Sequence, residues 1–363
     1  MPVADFEIAV PATMRAAVYK GDSVVDVEQI PTPEIGPGEL LVRVEACGVC
    51  HTDLKKIEYN LLAPPRIYGH ETAGVVARVG RGVRQFKPGE RVIVFHHIPC
   101  SNCFYCRKKL YAQCPVYKRV GVTAGYEPAG GGFSQFVRVM DWIVERGVEK
   151  IPQGVSFECA SFVEPVNTCL KAVVQCAPVA GETALILGQG PIGLMFTMLV
   201  RRSGVRLVTT ETIPSRRELS LRCGADVALD PRTDNVAETV ASLTEGRGAD
   251  LVIVAVSAPR LAEQAVAWTR PGARILLFAQ TSEAERIELS GASVCVGERT
   301  IFGSYSASVD LQKESARLVF TGELPVELLV SHRLPLAKIR SAFDLALHPD
   351  PRSLKIILEP QRC

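Results

Sequence analysis

The chain has 363 residues, 47% of them hydrophobic and 22% charged, with a formal net charge of +2. That balance predicts a globular protein of two or three domains and excludes a disordered chain. It lacks the basic excess and clustered Lys/Arg face of a nucleic-acid binder, and its longest apolar stretch, near residues 190–200, falls short of the ~20 residues that span a bilayer.

The opening MPVADFEIAV has neither the basic n-region nor the apolar h-region of a secretory signal, which predicts a cytoplasmic location. In that reducing compartment the twelve cysteines read as metal ligands or buried side chains rather than disulfides.

Residues 15–150 are rich in short β-type runs broken by Gly and Pro, at 40–45, 74–79, 91–95 and 133–139. They predict a compact, mostly antiparallel β unit with long loops. Beyond Pro165 the texture changes. Continuous apolar runs at 183–187, 205–210, 251–256, 274–279 and 300–302 alternate with helical stretches at 215–223, 236–244 and 261–269. Such alternation predicts a parallel sheet covered on both faces. A helix at 311–320 and a closing strand at 354–358 then return to the β unit. The expected class is α/β: a doubly wound parallel sheet (165–305) inserted into a β-rich domain made of 1–164 and 306–363.

Three signals carry chemistry. Cys100, Cys103, Cys106 and Cys114 fall in one short segment. Four thiolates so close suit a tetrahedral zinc with no open position, hence a structural one. Four free loop thiols are the bland alternative, and an iron–sulfur cluster fits the count but not its usual spacings.

The second signal is Gly188-Gln189-Gly190-Pro191-Ile192-Gly193, set between the strand TALIL and an apolar helical stretch. In that setting the first glycine permits the tight turn, the second lets backbone approach a pyrophosphate, and the third lets helix and strand pack. The helix N-terminus faces the phosphates. Glu211, at the end of the next strand, suits the adenosine ribose diol and repels a 2′-phosphate, which points to NAD+. Arg216 and Arg217 follow closely enough to weaken that preference.

The third signal is dispersed. Cys50 in GVCHTD and His70 in GHE are plausible ligands of an open zinc site, with Glu164 of FVEP as the natural third ligand or, equally, an ordinary helix-start glutamate.

Taken together, GVCHTDL, GHETAGVV, the cysteine segment, FVEP, GQGPIG and the late FGSY fall in the order found in the zinc-dependent medium-chain alcohol and polyol dehydrogenases, and the chain resembles that family from about Met14 to Leu358. The resemblance implies a GroES-like catalytic domain, a Rossmann domain and a homodimer or homotetramer. It implies two zinc ions per chain. Cys50, His70 and Glu164 match the catalytic zinc ligands, and Glu71 is an acid beside them that coordinates the metal in some polyol members. Cys100, Cys103, Cys106 and Cys114 match the structural ones. Thr52 matches the residue that bonds the substrate hydroxyl and starts the proton relay, and Asp53 an acid supporting the ligand shell. Lys55 stands where many members have the outer proton-accepting histidine, which leaves His51 or solvent for that step. Residues 1–13 read as an extension without a catalytic role.

The expected activity is hydride transfer from a small-molecule secondary alcohol, polyol or sugar-like, to NAD+. FVEP and the long cysteine segment resemble the sorbitol and threonine branches. L-threonine 3-dehydrogenase is the enzymatic alternative, and a non-catalytic nucleotide-binding protein of the same fold is the other.

Overall fold

A computed structural model describes residues 8–126, 130–279 and 286–362. The chain divides into two units, one of residues 1–165 and 308–363 and the other of 166–307.

In the first unit, β1 (Thr13–Gly21) and β2 (Val24–Pro31) form an antiparallel hairpin. Its tight turn is made possible by Asp22 and Ser23, both in the left-handed region with φ of 47° and 61°. Then follow β3 (Leu40–Gly48), β4 (Glu71–Val79), β5 (Arg91–Val94), β6 (Val122–Thr123), β7 (Phe136–Val139) and β8 (Val148–Lys150). The same sheet is completed from the far end of the chain by β15 (Val330–Pro335) and β16 (Lys355–Glu359). β16 pairs antiparallel with β3, setting Ile357 opposite Gly48 and Leu358 opposite Cys47. Leu40, Val42, Val44, Val76, Val92, Val137 and Leu358 are fully buried in one core. Each contributes roughly 1.5–3 kcal/mol of hydrophobic stabilisation.

That core also takes in Ile8 at 7% exposure, with Val10 packed against it, while Thr32 N–H bonds to the Ala12 carbonyl at 3.0 Å. Residues 8–12 of the expected N-terminal extension are therefore part of the unit's packing; residues 1–7 lie outside the described residues.

The second unit is a parallel sheet in the order β11-β10-β9-β12-β13-β14 among the described residues. Its strands are β9 (Thr183–Leu187), β10 (Arg206–Thr210), β11 (Val227–Leu229), β12 (Ala249–Val254), β13 (Thr269–Leu277) and β14 (Thr300–Gly303). β9 is buried at every residue, as a central strand covered on both faces requires. The order reverses direction at β9, where the glycine turn begins. One expectation shifts: the helix foreseen at 261–269 runs Pro259–Ala267, and Thr269 opens β13 instead. β13 takes in Pro271 and Gly272 where its register against β12 is irregular.

Candidate active site, cysteine lobe and cofactor turn

The first donor group forms where strands end. β3 runs out at Gly48, and Cys50 then takes an extended backbone as N-cap of the helix His51–Glu58. Across the ladder, β4 begins at Glu71, directly opposite Gly48. The glycine leaves room for that acid, since a Cβ there would stand 1.9 Å from Glu71 Oε2 and displace its carboxylate. The result brings ligand atoms of Cys50, His70 and Glu71 within 4.8 Å of one another.

His70 Nδ1 lies 3.0 Å from Oδ1 of Asp53, whose side chain is fully buried in the first turn of the helix after Cys50. That bond anchors one edge of the ring and leaves Nε2 as the nitrogen for a metal. Burial disfavours a charged His70, but the Asp53 carboxylate and Cys50 outweigh it and hold the imidazole pKa well above its ordinary value.

Glu71 has a partner that motif reading did not find. Lys355 on β16 places Nζ 2.6 Å from Glu71 Oε1 and 3.1 Å from the Val49 carbonyl, with both charged side chains buried. The β16–β3 pairing delivers it across a separation of 284 residues. A one-dimensional reading could have found Lys355 only as a lysine within an otherwise apolar closing strand.

Glu164, in the first turn of the helix Val163–Cys176, lies outside the 4.8 Å set. It is nevertheless in the same electrostatic neighbourhood. Burial raises its pKa to about 7, with His70 and Lys355 opposing the rise and Glu71 and Asp53 adding to it. Thr52 is half-buried and His51 exposed, both in the first turn of the helix that Cys50 caps. Cys50, Asp53, Glu71 and Glu164 thus gather around His70 and Lys355. A thiol, an imidazole and carboxylates with an excess of negative charge suit a divalent zinc ion.

Two further histidines adjoin this group. His96 packs its ring 4.8 Å from that of His70, and His97 packs 4.0 Å from His96. Burial drives both pKa values down, that of His97 to about 3.

The second donor group is local. Cys100, Cys103, Cys106 and Cys114 bring their sulfurs within 4.8 Å of one another. Two of the separations are 3.9 Å (Cys100–Cys106) and 3.5 Å (Cys103–Cys106). A tetrahedron with zinc–sulfur bonds of 2.3 Å has edges of about 3.8 Å, so the lobe fits a tetrathiolate zinc. Left-handed residues Ser101 and Lys109 turn the chain around it. The thiols are unequal: the Asn102 N–H draws Cys100 down to about 6, whereas burial pushes Cys106 up to about 12. No described cysteine forms a disulfide.

In the second unit, Gly188 adopts φ +91°, and a side chain there would meet Val256 at 2.2 Å. Gly193 packs under the Gly188 carbonyl, 1.9 Å from where a Cβ would be. At Gly190 a Cβ would meet nothing within 4 Å, leaving backbone open to a ligand. Gly190 caps the helix Pro191–Arg201, with Pro191 at its first position, Ile192 behind it and no side chain on its free N–H groups. The turn therefore fits a dinucleotide pyrophosphate. Glu211 lies under it, accepting hydrogen bonds from the N–H groups of Gln189 (2.9 Å), Thr212 (2.7 Å) and Ile213 (3.0 Å). Arg217 is committed to the Glu211 carbonyl and Asp230, at 2.8 and 3.1 Å. Arg216 lies in the first turn of the helix Pro214–Arg222.

Comparison with known proteins agrees with this geometry. Residues 36–153 match the alcohol dehydrogenase GroES-like domain and residues 191–320 the zinc-binding dehydrogenase domain. The chain is 28% identical to a sorbitol dehydrogenase of Bacillus subtilis (strain 168), over 97% of this chain and 99% of that protein. It is 30% identical to an L-threonine 3-dehydrogenase of Pyrococcus abyssi, over 92% and 94%. Among solved structures, a putative zinc-binding dehydrogenase from Sinorhizobium meliloti 1021 bound to NADP superimposes with a TM-score of 0.87 at 26% identity, over 96% of this chain and all of that one. On its fold, its donor groups and these likenesses, the chain belongs to the zinc-dependent medium-chain alcohol and polyol dehydrogenases.

Proposed function

We propose that the protein oxidises a secondary alcohol of the polyol or sugar-like class with NAD+. In this reading one zinc is held by Cys50, His70 and a neighbouring carboxylate, and a second fills the cysteine lobe. The observation that carries it is the convergence of Cys50, His70 and Glu71 in a buried, negatively charged setting. A zinc ion held there supplies Lewis-acid activation of the substrate hydroxyl.

The chain's own residues do the rest. Asp53 orients His70 through Nδ1. Thr52, two residues beyond Cys50, takes the hydrogen bond of the substrate hydroxyl and starts its proton outward; exposed His51 or solvent receives it, since Lys55 occupies the position of the family's outer histidine. Gly188, Gly190 and Gly193 admit the pyrophosphate to the helix N-terminus. The Glu211 carboxylate stands at the end of β10, where the family's acid meets the ribose diol, and opposes a 2′-phosphate by like charge. Arg217 is engaged elsewhere and does not relieve that opposition. We assign the protein to the cytoplasm as a homodimer or homotetramer, on the family's habit.

A panel of polyols, amino alcohols and simple secondary alcohols with NAD+, followed by NADH absorbance together with metal analysis, tests the proposal. Polyol turnover by a protein holding two zincs per chain is expected. Dominant turnover of L-threonine would move the assignment to the activity carried by the Pyrococcus abyssi relative. A single zinc per chain without turnover would favour a nucleotide-binding role. NADP+ is the sharper cofactor test, because the Sinorhizobium relative is bound to it.

A further inference from the structure

The ring contacts beside His70 continue well past the donor group. His96 and His97 follow β5 and lead straight into the lobe, His97 lying three positions before Cys100. Tyr117 lies three positions after Cys114, and its ring packs 5.1 Å from that of His97. The two ends of the lobe therefore meet in this contact. Tyr117 is buried and belongs to the small cluster of Cys106, Tyr111 and Cys114. Four rings, Tyr117, His97, His96 and His70, thus run from the lobe to the active site at separations of 5.1, 4.0 and 4.8 Å.

Ring contacts link the middle of this row. The Nδ1 atoms of His96 and His97 are buried and make no hydrogen bond among the described residues. The His96 carbonyl is seated over Gly121, where a Cβ would approach it to 2.6 Å, so its backbone has little room to slide. His70 itself is anchored at one edge by Asp53 and on its flank by His96. The hydrogen bond at Nδ1 leaves the tilt of the ring about that bond undetermined; a flanking ring fixes it.

From this we infer that the Tyr117–His97–His96 row makes the cysteine lobe a positioning device for His70, so that order in the lobe sets the metal affinity of the active site. The inference rests on the proposed role of His70 as a zinc ligand. It gives the lobe a part in the reaction geometry as well as in folding. His96, His97 and Tyr117 act through His70 and are positioning residues.

The test is Tyr117→Leu, which leaves all four lobe thiols and Cys50, His70, Glu71 and Glu164 in place, with Tyr117→Phe as the conservative variant. Zinc retention at each site is read by chelator competition on the full-length protein, and active-site geometry by the visible spectrum after Co2+ replaces the active-site zinc. Tyr117→Leu is expected to weaken the active-site zinc about tenfold, the lower end for residues that orient a ligand, and to shift the Co2+ spectrum. Its lobe zinc should stay, and Tyr117→Phe should restore wild-type values. If Tyr117→Leu keeps its lobe zinc and its active-site affinity and spectrum are unchanged, the link does not exist. If Tyr117→Leu also loses the lobe zinc or fails to fold, His96→Leu decides, being outside the lobe's own cluster of Cys106, Tyr111, Cys114 and Tyr117. It must weaken the active-site zinc with the lobe intact, and if it does not the inference is overturned. A wild-type protein that binds no metal at Cys50 and His70 would overturn the functional reading itself, a result separable from either variant.

Discussion

The two donor groups of this chain are built in opposite ways. The cysteine lobe draws all four ligands from positions 100–114, and two of its cysteines, Cys100 and Cys103, are only half-buried. The active-site group draws on the end of β3, the start of β4, the helix holding Glu164 and the last strand, and its His70, Glu71 and Lys355 are buried. The lobe can form from one loop once a metal arrives. The active site exists only when the whole β unit is folded, because strand pairing brings its members together. In the proposed reading a metal would therefore do different work at the two places: it would fix the conformation of the lobe, and it would neutralise charge already assembled by the fold in the active site.

Removing one ligand from each group should expose that difference. Cys50→Ala should lower kcat/KM by about 10³-fold or more, the size of a lost Lewis-acid contribution of several kcal/mol. One zinc per chain should remain, in the lobe, and the unfolding temperature should change little. Metal analysis and calorimetry on the same sample check this. A variant that loses both zincs would mean that the sites are not separately built.

Cys106→Ala should do the reverse. The lobe loses its zinc and with it the folding free energy that binding supplies, so the unfolding temperature should fall by more than about 5 °C. Activity measured well below the transition should survive in part, reduced through the ring row rather than abolished. Full stability with two zincs retained would show that the lobe is not a tetrathiolate site.

The acids sharpen the active-site half of the comparison. The sequence favoured Glu164 as third ligand, with Glu71 beside it; the geometry places Glu71, not Glu164, in the set within 4.8 Å. Glu71→Gln should therefore weaken the active-site zinc by about 10–100-fold, and Glu164→Gln by less. Chelator competition ranks the two, and the opposite ranking would return the ligand role to Glu164. Lys355→Met adds a metal-free check. It leaves Glu71 buried without its cation and should destabilise the zinc-free protein by about 3–5 kcal/mol in denaturant unfolding.

How much of this was legible follows from distance along the chain. Cys100 to Cys114 and Gly188 to Gly193 are contiguous patterns, and their geometry follows the pattern closely. The parallel strands were legible because burial on both faces makes them continuously apolar, as in TALIL. Cys50 and His70 could be singled out only as a pair among several motifs. Lys355 could not, because nothing local marks a lysine on β16 as the partner of Glu71; only the register Ile357 opposite Gly48 does. The His96–Tyr117 row was equally hidden, since its rings are brought together by the closure of the lobe.

The N-terminal segment separates loss of a site from loss of the fold. The sequence set residues 1–13 aside as an extension, yet Ile8 is buried in the core of the unit that holds both donor groups, and the Ala12 carbonyl accepts from Thr32. Deleting residues 1–13 removes one buried isoleucine and a backbone hydrogen bond at the start of the β1–β2 hairpin. The expected cost is about 2–4 kcal/mol: roughly 1.5–3 for the side chain and ~1 for the bond. Neither donor group contributes a residue to this segment, so both zincs and the kcat of the folded fraction should match the full-length protein. Denaturant unfolding gives the stability loss, and metal analysis of the same preparation gives the occupancy. Unchanged stability would mean that Ile8 is dispensable to the core. A zinc lost below the unfolding transition would mean that at least one donor group depends on this edge of the sheet, and the contrast between a loop-built and a fold-built site would have to be redrawn around it.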